Sequence, residues 1–113
     1  LGARARVLGV TFKENVPDLR NSKVPDVVRE LKAFGVEVDV VDPMADPAEA
    51  HEEYGITLRA PEDLPPADLV VLASPHLTFL EAADAQVFGA LTPKGVVIDV
   101  KSVLPPGPNV WSL

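Results

Sequence analysis

The sequence RVLGVTFKENVPDLRNSKVPDVVRELKAFGVEVDVVDP, residues 6–43, contains a strand, a helix and a second strand in succession. Residues Arg6 to Phe12 are mostly apolar and rich in β-branched side chains, which is typical of a strand buried on both faces. Residues Val36 to Asp42 alternate with period two before Pro43, which predicts the second strand. Between them, apolar residues recur with helical spacing and form one continuous stripe, at Val24, Val27, Val28, Leu31 and Phe34. The pattern predicts a right-handed βαβ unit.

Polar and turn-forming residues delimit this helix. Residues Lys13 to Asn21 are polar and contain Pro17, so they are predicted to form a loop. Ser22 or Asn21 can cap the first turn, which Pro25 suits, and Gly35 can adopt the left-handed conformation that ends a helix.

The rest of the chain continues the alternation of strands and helices. We predict, in order, a helix over 45–54, a brief strand over 55–57, a strand over 67–74, a helix over 78–91, a strand over 95–100, and an extended or irregular tail over 104–113. The alternation indicates a single α/β domain over 1–113, a Rossmann-like three-layer sandwich with a mainly parallel sheet. Its ligand edge, beyond the carboxyl ends of the strands, comprises residues 12–22, 42–44, 74–76 and 101–102.

Composition excludes several classes of protein. The net charge of -7 argues against a nucleic-acid or anionic-membrane surface, although basic residues are concentrated before Gly35. Without cysteine there is no disulfide, thiolate metal site or cysteine nucleophile, and no cluster has metal-ligand spacing. Since no apolar run approaches the roughly 20 residues of a membrane span, we expect a cytoplasmic protein. The chain starts at Leu1 rather than methionine, so we expect it to be part of a longer polypeptide.

Gly9 and Asp42 invite comparison with a dinucleotide-binding fold. That fold needs a G-x-G-x-x-G turn, because the missing side chains let the backbone approach a pyrophosphate. After Gly9 this chain has Val10, Thr11 and Phe12 instead. We therefore predict that the domain does not bind NAD, and that Asp42 is a solvated or turn residue at the end of its strand.

Residues 12–22, FKENVPDLRNS, carry a resemblance to a known family. They resemble the signature loop of the UDP-glucose/GDP-mannose dehydrogenases, in particular the UDP-N-acetylhexosamine 6-dehydrogenase branch. The similarity continues to Pro43 and, more loosely, to residues 99–101 and 111–113, so it covers essentially the whole chain.

The resemblance implies that this chain is the C-terminal, UDP-binding domain of a longer enzyme. Such enzymes oxidise the C6 alcohol of a UDP-sugar to a carboxylate with NAD, which is bound by an N-terminal domain. The catalytic cysteine also belongs to an earlier domain than this one. A central linker forms a homodimer. The chain's partners would be the UDP-sugar and the enzyme's own N-terminal and linker domains. The alternative is a stand-alone nucleotide-binding or interaction module without catalysis.

The resemblance implies that Phe12, Lys13, Arg20 and Lys101 bind the substrate, and no catalytic or cofactor-binding residue is assigned. Phe12 offers an aromatic face for uracil or ribose, and Lys13 a charge for phosphate. The alternative places Phe12 in the core and leaves Lys13 solvated. Arg20 either holds a diphosphate or, as we slightly favour, pairs with Asp18 to shape the loop.

Three further residues have alternative roles. Ser22 either caps the helix, which we favour, or joins its N-terminus in binding an anion. His76 follows a strand and could hydrogen-bond substrate or a neighbour, although a single loop histidine is more often structural or exposed. His51 lies in an acidic helix and is predicted to be solvated.

Overall fold

A computed structural model of the protein describes residues 3–11, 15, 18–19 and 22–112. Its centre is one sheet of five strands in the order β2-β1-β3-β4-β5, in which every neighbouring pair is parallel. The strands are β1 (Arg4–Leu8), β2 (Glu37–Val41), β3 (Ala67–Leu72), β4 (Leu91–Asp99) and β5 (Val110–Ser112). The prediction of a mainly parallel sheet is confirmed.

Helices pack on both faces of the sheet and complete a three-layer sandwich. They are α1 (Val24–Ala33), α2 (Pro47–Tyr54), α3 (Leu77–Glu81) and α4 (Ala83–Gln86), with 3-10 turns at Pro61–Asp63 and Phe88–Ala90. One apolar core joins β1, β2 and β3 to α1 and α2, and includes Val7, Val28, Val40, Ala50 and Val71. The second core lies on the opposite face and includes Leu8, Leu72, Phe79, Val87 and Val97. The alternation of side chains along each strand explains why neighbouring residues such as Val7 and Leu8 enter different cores.

The helix predicted between the first two strands is present. Val24, Pro25 and Val28 are buried, and Gly35 follows the helix with a φ of 83°. The end of the predicted apolar stripe does not pack, however, because α1 stops at Ala33 and the next side chain, Phe34, is 75% exposed.

Glycine ends the first strand earlier than predicted. β1 stops at Leu8 rather than Phe12, because Gly9 has a φ of +94° and leaves the extended conformation. Its missing side chain also lets the segment after β3 approach closely. A Cβ built on Gly9 would lie 2.6 Å from the carbonyl oxygen of Ser74.

The second half of the chain differs from the prediction at three places. The predicted helix over 78–91 is broken into α3, α4 and a 3-10 turn, because its small alanines and Gly89 supply no continuous apolar stripe to hold one long helix. β4 begins at Leu91 instead of residue 95, with a register shift against β3 between Ala67 and Leu69. The tail is not wholly irregular, since Val110–Ser112 forms β5 beside β4.

The strand predicted over 55–57 is wrong. A single bridge joins Leu58 to Val40 of β2, and it follows α2 and its left-handed Gly55. Among the described residues, no helix is long and apolar enough to cross a membrane.

The close approach of Gly9 and Ser74 leads to a stability prediction. Gly9→Ala should lower the free energy of unfolding by about 3 kcal/mol or more, because it combines an unfavourable φ with overlap against backbone atoms. Gly55 has a φ of +67° and nothing within 4 Å of an added Cβ, so Gly55→Ala should cost only about 1–2 kcal/mol. Urea unfolding of both variants measures the difference, and equal losses would contradict this account of Gly9.

Candidate functional site

Polar side chains from three adjacent strand ends meet at the carboxyl edge of the sheet. Asp42 directly follows β2, Thr11 lies three residues beyond β1, and His76 lies four residues beyond β3. All three are buried. In parallel α/β sheets a ligand usually binds at this edge, between the two strands where the strand order reverses. Here those strands are β1 and β3.

The carboxylate of Asp42 is the centre of this cluster. Its Oδ2 accepts hydrogen bonds from the backbone N–H groups of Val10 at 2.7 Å and Thr11 at 3.3 Å. Its Oδ1 accepts from the N–H groups of Met44 at 2.7 Å and Ala45 at 3.0 Å. One buried negative charge therefore fixes the backbone after β1 and the turn after β2.

Of the two predicted alternatives for Asp42, a solvated residue or a turn residue, the structure supports the turn residue. Its side chain is fully buried. Burial acts to raise the pKa of Asp42, but the hydrogen bonds from His76, Val10 and Met44 and the nearby His76 ring outweigh it, so the pKa lies below the ordinary value. The carboxylate stays ionised inside the protein.

His76 supplies the fifth hydrogen bond to Asp42 and links it to the loop. Its Nδ1 accepts a hydrogen bond from the backbone N–H of Asn15 at 2.8 Å, so Nδ1 holds a lone pair. The ring proton therefore lies on Nε2, which is 3.0 Å from Asp42 Oδ2 and 3.3 Å from Thr11 Oγ1. His76 is therefore a neutral, completely buried imidazole.

Asn15 is anchored to the segment after β3 by two hydrogen bonds. Besides the bond to His76, its Oδ1 accepts from the N–H of Leu77 at 2.7 Å. It has a φ of 63°, a conformation in which asparagine is enriched. Asn15, like Thr11, is therefore held in place by hydrogen bonds to buried or neighbouring groups.

The return of the loop towards α1 is fixed by two hydroxyl groups. The Tyr54 hydroxyl of α2 donates to the carbonyl of Leu19 at 2.6 Å. Ser22 Oγ donates to the carbonyl of Val10 at 2.6 Å and accepts from the N–H of Val24 at 3.2 Å. The N-cap position of α1 is Lys23, whose side chain caps nothing, so Ser22 lies one residue before the predicted position, although its hydroxyl accepts the first N–H of the helix. The same hydroxyl ties the start of α1 to the segment after β1.

One of the four predicted substrate residues lies in the described part of the chain. Lys101 is exposed just after β4, at the same edge as Thr11, the residue before Phe12. Both border a cavity of about 480 Å³. Its walls are mostly apolar and come from α1, β3 and β4, and the polar residues at its rim are Thr11, Ser22, Lys23 and Lys101.

Phe12, Lys13 and Arg20 lie outside the described residues. His51 is exposed, as predicted, and Lys23 is exposed as well. Over the described ranges, no three His, Cys, Asp or Glu side chains are grouped to hold a metal ion.

The sequence analysis placed residues 42–44 and 74–76 at this edge but missed the network that joins them. The available signal was the position of Asp42 and His76 after neighbouring strands, together with an asparagine in the loop between β1 and α1. What the pattern could not give is that the donors of three segments converge on one carboxylate.

Comparisons with known proteins find similar sequences and a similar fold. The model of the UDP-glucose/GDP-mannose dehydrogenase family, UDP binding domain, matches residues 6–106. The chain is 40% identical over 103 residues to Protein CapL of Staphylococcus aureus. This alignment covers 91% of the chain and 24% of CapL. It is also 40% identical over 103 residues to the UDP-N-acetyl-D-glucosamine 6-dehydrogenase of Pseudomonas aeruginosa, with the same coverage.

A solved structure shares the fold. The UDP-N-acetyl-mannosamine dehydrogenase Cap5O from S. aureus superimposes with a TM-score of 0.71 over 98% of this chain, at 24% identity. The match covers 26% of that structure, and the chain spans about a quarter of the length of each relative.

Replacing the buried charge tests its structural role. Asp42→Asn should lower the free energy of unfolding at pH 7 by about 2–4 kcal/mol, because an amide cannot accept five hydrogen bonds and brings two donors of its own. Asp46→Asn is the control, since Asp46 is exposed, accepts one N–H at the start of α2, and asparagine caps equally well.

The same variants have an expected pH dependence. Because the pKa of Asp42 is lowered on folding, its contribution is complete above its unfolded value of about 3.9 and is lost as pH falls through the folded value. Urea unfolding between pH 7 and pH 3 should show a shallower acid loss for Asp42→Asn than for the unmodified chain. Equal acid profiles would contradict the assignment.

Proposed function

Because the chain belongs to the UDP-glucose/GDP-mannose dehydrogenase family, we propose that it binds the uridine diphosphate part of a UDP-sugar for an NAD-dependent 6-dehydrogenase. The single observation that carries the proposal is the family match over residues 6–106, which includes the loop after β1 and the end of β4. The names of the relatives, UDP-N-acetyl-D-glucosamine 6-dehydrogenases among them, support a UDP-linked N-acetylhexosamine as the substrate class.

The loop between Thr11 and Asn15 and the end of β4 form the proposed nucleotide clamp. Phe12 stacks on the base or ribose, Lys13 and Lys101 neutralise the diphosphate, and Arg20 either contacts the diphosphate or shapes the loop. Support comes from the shared edge of Thr11 and Lys101 and from the fixed positions on either side of residues 12–14. The phosphates would lie outside the sheet, near the basic residues of an otherwise acidic chain.

The geometry after β1 also supports assigning NAD to another part of the enzyme. In a dinucleotide fold the second glycine of the turn lets the backbone approach the pyrophosphate. Here Thr11 stands at that position, and the N–H groups of Val10 and Thr11 are bonded to Asp42. We assign NAD to an N-terminal domain and no catalytic residue to this chain.

In the longer enzyme the chain would be a single C-terminal domain over 1–113. It would contact the enzyme's N-terminal and linker domains in a cytoplasmic homodimer that oxidises the sugar C6 alcohol to a carboxylate. An exposed apolar side chain supports such a contact, because Trp111 of β5 is 64% exposed. Trp111 lies opposite Ile98 of β4, and Ile98 lines the mostly apolar cavity beside α1. The dehydrogenase assignment fits the comparisons better than a stand-alone module.

Nucleotide titrations test the proposal in this chain. UDP should shift the amide signals of residues near Thr11 and Lys101 in NMR spectra, whereas NAD should not. Lys101→Ala should weaken UDP binding about tenfold by removing one charge-assisted contact. Lys94→Ala is the matched control, because Lys94 is an exposed lysine near the opposite end of β4. NAD-selective shifts, or equal losses in both lysine variants, would contradict the proposed site.

The longer enzyme allows a kinetic test of Lys13. Lys13→Ala should raise KM for the UDP-sugar much more than KM for NAD, because the lost charge contacts only the sugar nucleotide. Steady-state kinetics with each substrate varied in turn measures the two constants. Equal increases would argue against a role on the substrate side.

A further inference from the structure

We infer that His76 is a positioning residue for nucleotide binding: as a neutral imidazole protonated on Nε2, it fixes Asn15, one end of the loop in the proposed nucleotide clamp. The inference rests on the proposed function and adds a residue that need not touch the nucleotide. His76 is completely buried, and its Nδ1 accepts the backbone N–H of Asn15.

The two ring nitrogens of His76 have separate tasks. Nε2 donates to Asp42, which also holds the N–H groups of Val10 and Thr11 before the loop. Nδ1 accepts from Asn15 within the loop. One ring therefore joins Asn15 to Asp42. The proposed positioning depends on the contact to Asn15, because Asp42 holds Val10 and Thr11 by hydrogen bonds of its own.

The position of the ring is itself determined by its surroundings. Its centroid lies 5.6 Å from that of Phe79, a buried residue of α3. A flip of the ring would exchange nitrogens for carbons and break the bonds to both Asp42 and Asn15. A ring protonated on both nitrogens would direct an N–H at the N–H of Asn15. The Nε2-protonated tautomer alone satisfies every donor and acceptor around the ring.

Substituting His76 by asparagine or by glutamine separates the contact to Asn15 from the contact to Asp42. The side-chain oxygen of Asn lies three bonds from Cα, as Nδ1 does, whereas the side-chain nitrogen of Gln lies four bonds away, as Nε2 does. His76→Asn therefore keeps an acceptor for Asn15 and loses the donor to Asp42. His76→Gln keeps the donor to Asp42 and loses the acceptor for Asn15.

Three measurements test the inference, the first two on the chain and both variants and the third on the unmodified chain. The first is amide hydrogen exchange at Asn15, which reports the contact to Nδ1 without any ligand. The second is the dissociation constant for UDP-N-acetylglucosamine, a probe chosen because its diphosphate lacks the terminal phosphate ionisation near pH 6. Nitrogen NMR of the His76 ring at neutral pH should show a proton on Nε2 and none on Nδ1.

We expect His76→Gln to speed exchange at Asn15 and weaken binding of the probe, each about tenfold, the loss of one hydrogen bond. His76→Asn should leave the exchange rate at Asn15 and the dissociation constant of the probe within about twofold of the unmodified chain. Both variants lower the free energy of unfolding, so a purely structural role of His76 would affect the two variants alike. Unchanged exchange in His76→Gln, or unchanged binding despite faster exchange, would overturn the inference. If the unmodified chain does not bind the probe, the proposed function is overturned instead. Amide exchange at Asn15 distinguishes the two failures, because it reports the contact to His76 without any ligand.

Discussion

The buried charge of Asp42 is the interaction on which the carboxyl edge of this domain depends. An ionised carboxylate inside a protein is tolerated only when hydrogen bonds replace the water it has lost. Here four backbone N–H groups and His76 do so, and they come from the segments that follow β1, β2 and β3. Because the carboxylate needs all five hydrogen bonds, the three segments that supply the donors must lie together. The side chain of Asp42 therefore holds these segments to one another at the sheet edge.

This arrangement separates the residues that shape the site from those proposed to bind the ligand. Asp42 and His76 are buried and satisfied within the protein, whereas Lys101 is exposed at the rim of the neighbouring cavity. Gly9 has no side chain, so Ser74 can pack against its backbone. The Ser74 hydroxyl then donates a hydrogen bond to the carbonyl of Thr11 at 2.8 Å. A rigid base of this kind lowers the ordering cost of ligand binding, since the ends of the loop are already fixed.

Much of the fold could be predicted from local pattern, and the failures have physical causes. The βαβ unit was evident because a continuous apolar run, an apolar stripe with period 3.6 and an alternating run follow one another in residues 6–43. β5 was missed because three residues at a sheet edge gain their strand conformation from pairing with β4, which no local pattern reveals. The position of Asp42 at the ligand edge was predictable, but its burial depends on donors 31 to 34 residues away in sequence. The binding roles of Phe12, Lys13 and Arg20 came from family resemblance and stay predictions.

A crystal structure of the chain bound to UDP would test the central claim most directly, that a self-sufficient buried network presents the loop after β1 to a nucleotide. We predict the diphosphate beside the loop of residues 12–15 and Lys101, with Asp42 still bonded to Val10 and His76 and neither buried side chain touching the ligand. UDP bound away from that edge, or bonded directly to Asp42 or His76 with the network broken, would contradict the account.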